Sequence, residues 1–362
     1  MRFKEFLKED DFADMKKQII QKLQGLSNDP SNPEEQAEAE DVMDKIYSLL
    51  NRRDTYDKFQ TIVAKELAAE YGGQTDNKQL KKKIDQKILQ IAGKISEAPL
   101  SYQDKMKFAE NFKAGKVIDA NMLLVAGQYT LEELCYNKPE NLVVFDHLKL
   151  LGVGEQMKGP GEHALAILSP DISLRATGGD VSVKGNPVEI KASVSGGGGG
   201  RFGETSSVPT RDSLYKIITS YPELKAPIEE LMKKQKSLNV KNFTQLVNQV
   251  DLDPAKRKDL SNKLFGALFG KDADILINTF AKPGVDPKQV ADAYTVSNFE
   301  HYKNSGEGGS WETLVAINFG ANTMATVKTG DDVLNMRRKT STPAVLTTCL
   351  LYTSDAADDS LR

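Results

Sequence analysis

The chain is poor in the residues that build soft-ligand metal centres and disulfide frameworks. It has two cysteines, Cys135 and Cys349, and three histidines, His147, His163 and His301, in 362 residues. None stands at zinc-site spacing from a partner, so a zinc centre is not expected. Two distant cysteines point to a reducing compartment. No apolar run is long enough to span a bilayer, so a membrane partner is not expected. The opening residues MRFKEFLKEDDF are too charged for a secretory h-region, so a signal peptide is not expected either. An excess of positive charge is missing as well: 48 Lys and Arg stand against 51 Asp and Glu, a formal net charge of −3. That balance excludes a whole-molecule field drawing the chain onto nucleic acid, so any DNA contact has to come from a local patch.

What is present divides the chain by texture. Up to about residue 150 the apolar residues recur at three- and four-residue steps: Phe12, Met15, Ile19, Ile20 and Leu23; Val42, Ile46, Leu49 and Leu50; Leu80, Ile84, Ile88 and Ile91. This spacing predicts amphipathic helices, separated at Ser27–Pro30, Gly72-Gly73 and Pro99. Lys81-Lys82-Lys83 reads as a solvated helix face. From Gly152 onward Gly and Pro become frequent and short alternating runs appear. Asp180–Lys184, Val188–Val194, Thr313–Phe319 and Met324–Lys328 read as strands. Between them, Leu214, Ile217 and Ile218, then Ile228, Leu231 and Met232, then Leu260, Leu264 and Leu268, return to the helical period. The expected organisation is a helical domain over 10–151 and an α+β core over 152–348. That core carries a helical insertion at about 208–305.

One passage gathers chemistry. In GPGEHALAILSPDISLRATGGDVSVKGNPVEIKAS, alternation along a strand puts Val188 and Ile190 on one face and Glu189 and Lys191 on the other. Gly185-Asn186 suits a two-residue hairpin turn. That turn pairs Lys184 with Pro187 and Asp180 with Lys191, so the three charged side chains share a face; a three-residue turn would send Asp180 to the other side unless a bulge corrected it. Glu162 opens a helix through Ala164, Leu165, Ile167 and Leu168 that can carry its carboxylate over the same cleft, while His163 reads as a helix-surface residue. Crowded carboxylates repel one another without a cation and offer hard oxygen ligands to Mg²⁺, with Mn²⁺ as a substitute. A lysine beside them can position water or neutralise developing charge.

These residues resemble the PD-(D/E)xK, or restriction-endonuclease-like, nuclease superfamily. The resemblance rests on Asp180 in GGD and on Glu189-Ile190-Lys191, and covers roughly residues 155–205. It implies metal binding by Asp180, Glu189 and the Ile190 backbone carbonyl, a catalytic role for Lys191, and a helix-borne acid at Glu162. It also implies a mixed β-sheet flanked by helices in αβββαβ order, DNA as the partner, and, from members that cut duplexes as dimers, a homodimer. Gly179 stands where the family name has proline. The glycine run Gly196–Gly200, with Gly198, Gly199 and Arg201, reads either as a loop approaching DNA phosphate or as a plain linker. An acidic-x-Lys triplet alone carries little, since Asp14-Met15-Lys16 and Glu223-Leu224-Lys225 also occur here. The bland reading of the hairpin is an exposed polar face or an inactive nuclease fold.

The two ends carry their own expectations. MRFKEFLKE is similar to the capsid-targeting peptide of internal head proteins of T-even-like tailed phages, with Leu7-Lys8-Glu9 at the position of the prohead protease site. Residues 1–9 would then be removed; the plain alternative is the start of an amphipathic helix. CLLYTSDAADD, from Cys349, resembles a translated sequencing adapter, so 349–362 is set apart as a non-native tail and the native chain is expected to continue beyond Thr348. The expected function is a Mg²⁺-dependent DNA endonuclease of phage origin, acting in the host cytoplasm or the virion interior. The rivals are a virion or internal head protein that uses an inactive nuclease-like scaffold in the capsid or prohead, and a recombination or repair nuclease.

Overall fold

The two-residue turn at Lys184-Gly185 sets the register on which the sheet is built. Both residues have positive φ, 50° at Lys184 and 87° at Gly185, the backbone that a type I′ hairpin turn needs. The computed structural model describes residues 9–24, 33–51, 77–153, 159–175, 179–194, 201–202, 211–234, 237–305, 311–337, 345–346 and 349–352, with Tyr56, Lys58, Gln60 and Val63 between. Its strands are β1 (Gly127–Thr130), β2 (Ile172–Leu174), β3 (Val181–Val183), β4 (Asn186–Ser193), β5 (Arg201–Phe202), β6 (Ser237–Asn239), β7 (Thr313–Asn318), β8 (Thr323–Val327), β9 (Val345–Leu346) and β10 (Cys349–Tyr352).

Six of these form one mixed sheet in the order β1-β8-β7-β4-β3-β2. β2, β3 and β4 run as an antiparallel meander. β7 lies parallel to β4, and β8 and β1 continue antiparallel beyond it. Parallel neighbours need a crossover. Here the whole stretch between β4 and β7 supplies it, ending in the helix Pro287–Ser305. From Glu162 the order is helix, three antiparallel strands, helices, then a strand parallel to the third. The protein is thus mixed α+β. β5 pairs with β9 and β6 with β10 outside this sheet, so the backbone of Cys349–Tyr352 is strand-paired.

Each face of the sheet has its own cover. Val188, Ile190, Val315 and Ile317 bury on one side together with Leu165 and Leu168 of the helix Glu162–Leu168 and with Ile46, Ile88 and Phe108 of the N-terminal helices. On the other side Leu314, Ala316, Ala325 and Val327 pack under Phe299 and Tyr302 of Pro287–Ser305, with Trp311 and Val333. The insertion keeps a third core, in which Phe243, Leu264, Phe265 and Phe280 meet Val290 and Tyr294. The helix Pro287–Ser305 therefore serves two cores, the insertion's with its first turns and the sheet's with its last.

Three expectations need correction. Gly127–Thr130 lies in a stretch read as helical, but it is the sheet's edge strand, paired to β8; four residues are too few to show a period of two. β2 was not foreseen, and it too is only three residues long. His163, expected on a helix surface, is buried at 6% exposure with Nδ1 3.3 Å from the Leu151 carbonyl. Its ring fills the space above Gly152, where a Cβ would fall 1.4 Å from Nδ1. Among the described residues no helix is long and apolar enough to cross a membrane. The opening peptide Met1–Lys8, the breakers Ser27–Pro30 and Gly72-Gly73, the Gly196–Gly200 run and the tail from Thr353 onward lie outside the described residues.

Candidate active site

β4 alternates as its sequence requires: Val188 and Ile190 are buried while Glu189 and Lys191 are half-buried on the opposite face. In the parallel register Glu189 stands beside Leu314 and Lys191 beside Ala316, so the charged pair shares the face covered by Pro287–Ser305. The hairpin register differs from the sequence expectation. The turn is Lys184-Gly185 rather than Gly185-Asn186, and Val183 pairs with Asn186 where Lys184 was expected to pair with Pro187. Lys184 accepts its left-handed backbone because it is tied down: its N–H donates to the Asp171 carbonyl at 2.8 Å and its Nζ donates to Asn121 Oδ1 at 2.8 Å. Both strands pair one residue earlier than expected, so every cross-strand partner changes while the parity of the faces does not.

Asp180 enters just before β3 on a break in that register. Its N–H donates to the Val188 carbonyl at 3.0 Å, although Val181 is the register partner of Val188. Two successive residues thus address one partner, as in a β-bulge. Gly179 makes this geometry attainable. Its φ is +91°, and a Cβ there would lie 2.8 Å from the Val188 carbonyl oxygen. Proline, locked near −65°, cannot occupy that backbone, which explains glycine at this position. The Asp180 side chain turns onto β4, where Oδ2 accepts from the Ile190 N–H at 2.9 Å. For Ile190, then, the contact seen is made by its amide rather than by the carbonyl named as a ligand.

Glu189 is the hub. Lys191 Nζ donates to its Oε1 at 2.6 Å, and the Tyr302 hydroxyl donates to the same oxygen at 2.6 Å. The pair is shielded, with the Lys191 side chain 29% and the Glu189 side chain 13% exposed. Burial alone would lower the Lys191 ammonium, but the Glu189 carboxylate, Tyr302 and the Asp180 carboxylate outweigh it and hold it above the ordinary lysine value. A lysine so held cannot accept a proton; it can donate hydrogen bonds and neutralise charge. Burial pushes the Tyr302 phenol up, Lys191 opposes, and Glu189 adds to the rise.

Glu162 takes another course. It starts its helix as expected, behind Gly161 at φ 84°, but the helix packs with Val188 and Ile190, on the face of β4 away from Glu189. The carboxylate is 3% exposed and its Oε1 accepts from the Gly159 N–H at 2.7 Å. Among the described residues no three His, Cys, Asp or Glu side chains are gathered as a metal-holding group. Of the three expected carboxylates, Asp180 and Glu189 stand on the hairpin, and their donors are hard oxygens of the kind that suits Mg²⁺ or Mn²⁺. Gly198 and Gly199 lie outside the described residues. Arg201 is described only as backbone of β5. Sequence reasoning missed Tyr302, which is 113 positions from Glu189 and carries no local motif, and it missed Trp311, whose ring lies 5.5 Å from that of Tyr302.

Compared with known proteins, the chain matches no family model, no curated protein and no solved structure.

Proposed function

We propose that the protein is a Mg²⁺-dependent DNA endonuclease of the restriction-endonuclease-like type, cutting phosphodiester bonds at Asp180, Glu189 and Lys191. The observation that carries this reading is the Glu189–Lys191 pair on a central strand, with Asp180 bonded to the N–H of the residue between them. The order of helix, three-stranded meander, helices and parallel strand agrees with the αβββαβ order of that superfamily.

Asp180 and Glu189 would hold the cation, and Mn²⁺ would substitute for Mg²⁺. When bound, the cation would stabilise charge on the phosphate and leaving oxygens. Lys191, held as an ammonium, would orient water at the scissile phosphate and offset the charge that develops there. In this reading Glu162 supports the fold beneath the hairpin rather than the first contact with metal. DNA is the substrate, and a homodimer would place two such sites on the two strands of a duplex. A phage origin, with the protein in the host cytoplasm or packaged in the virion, is part of the same reading.

Supercoiled plasmid incubated with the purified chain and Mg²⁺ tests it. Wild type is expected to nick and linearise the plasmid, chelation to stop it, and Lys191→Ala to slow it by about a hundredfold or more, the size of effect usual for a lost catalytic group. Equal rates for wild type and Lys191→Ala would refute the mechanism. Cleavage confined to branched or single-stranded DNA would turn the reading toward a recombination or repair nuclease. An inert chain recovered from purified particles would turn it toward a virion protein on a nuclease-like scaffold.

A further inference from the structure

Tyr302 belongs to the helix Pro287–Ser305, whose first turns sit in the core of the insertion and whose last turns cover the sheet. Through its hydroxyl that helix reaches the site. Its hydroxyl and the Lys191 ammonium both donate to Glu189 Oε1, each at 2.6 Å. Two short donors on one oxygen fix the rotation of a carboxylate, because Oε1 cannot turn away without losing both. They also occupy the oxygen that Lys191 neutralises. The phenol is itself held in place: its ring lies 5.5 Å from that of Trp311 and 5.8 Å from Lys191 Nζ. Trp311 is 2% exposed, packs against Phe299 at 5.6 Å, and is the only tryptophan of the chain.

We propose that Tyr302 is a positioning residue of the site: it clamps Oε1 of Glu189 so that Oε2 is presented to a divalent cation, and it links that carboxylate mechanically to Trp311. This rests on the reading of Asp180 and Glu189 as cation ligands. It adds that the insertion, through its last helix, sets the geometry of the ligand carboxylate. A change at Glu189 then moves Tyr302 and is felt by the indole.

The test is a titration of the full chain with Mg²⁺, followed by calorimetry and by Trp311 emission, for wild type, Tyr302→Phe and Glu189→Gln. Phenylalanine keeps the ring on Trp311 and removes only the donor. Wild type is expected to bind with a saturable emission change that tracks the heat. Tyr302→Phe is expected to bind at least fivefold more weakly and to lose most of the emission response, with an unchanged circular dichroism spectrum. Glu189→Gln, which keeps Tyr302 in place, is expected to lose both signals. Tyr302→Phe binding with wild-type affinity and wild-type emission change overturns the proposal, as does wild-type binding that leaves Trp311 silent. A wild type that takes up no Mg²⁺ overturns it together with the metal reading beneath it. Plasmid cleavage by the same samples separates the two claims. If wild type binds Mg²⁺, Tyr302→Phe binds it weakly and neither cuts, the clamp stands and the nuclease falls. If wild type cuts and Tyr302→Phe matches it in affinity and emission, the nuclease stands and the clamp falls.

Discussion

Two acidic side chains in different regions of the molecule, one buried and one half-buried, are treated in opposite ways. In the N-terminal helix Asn77–Ser96, Asp85 is fully buried and neither carboxylate oxygen has a hydrogen-bond partner among the described residues. Burial pushes it up to about 6, with Lys81 opposing only in part. At the hairpin, Glu189 is half-buried and faces an ammonium and a phenol hydroxyl on one oxygen. A lone buried acid relieves its desolvation by taking a proton, whereas a matched one can keep its charge. Burial by itself therefore does not distinguish the two acids; the donors supplied to them do.

The sharpest way to break this contrast is at Gly179. Gly179→Ala adds a Cβ 2.8 Å from the Val188 carbonyl oxygen at a φ of +91°, and should cost about 3 kcal/mol by urea unfolding. It should also displace Asp180 from the Ile190 N–H. A loss below about 1 kcal/mol would show that the bulge is not strained in this way.

Asp85→Asn comes next and acts in the other direction. The folded carboxyl titrates at about 6 against 3.8 in its ordinary state. The stability gained by keeping it protonated is therefore full below 3.8 and is lost as pH rises through about 6. Asparagine should stabilise the protein by about 2 kcal/mol at pH 7 and by almost nothing at pH 4. A gain independent of pH would remove the contrast with Glu189. Lys191→Met then tests the matched acid. Leaving Glu189 with Tyr302 alone should destabilise by only about 1 kcal/mol, because solvent reaches part of the pair. Thermal unfolding would detect this, and a stabilised variant would mean that the Lys191–Glu189 contact does not contribute to stability. The smallest effect is expected at the turn. Lys184→Asn suits φ 50° better but gives up the Nζ contacts to Asn121 and Asp171, so a net gain of about 0.5 kcal/mol is expected in the same measurement.

How much of this was legible in the sequence follows from the range of the interactions. The alternation of Val188, Glu189, Ile190 and Lys191 is local and reads directly as a strand with one buried and one polar face. The turn was misplaced by one residue, because Lys184 takes a left-handed backbone only through its bonds to Asp171 and Asn121, which no local rule reveals. Glu189 and Lys191 share a face by alternation alone, whereas Asp180 sits on the bulge, where strand parity no longer decides its side. The helix opening at Glu162 was legible from Gly159-Pro160-Gly161 and the apolar run behind it. Its destination was not, since the register of a helix against a sheet is a packing outcome. Tyr302 was illegible for the same reason: in sequence it is one more aromatic in a helical run, and only the crossover lays it over Glu189.

The most direct measurement of the central claim is diffraction from crystals of the full chain soaked in Mn²⁺, read at the manganese edge. The account predicts anomalous density beside the Asp180 and Glu189 carboxylates in wild type and none there in Glu189→Gln. Density at a different place, or an empty hairpin at saturating Mn²⁺ with the sheet intact, would contradict it.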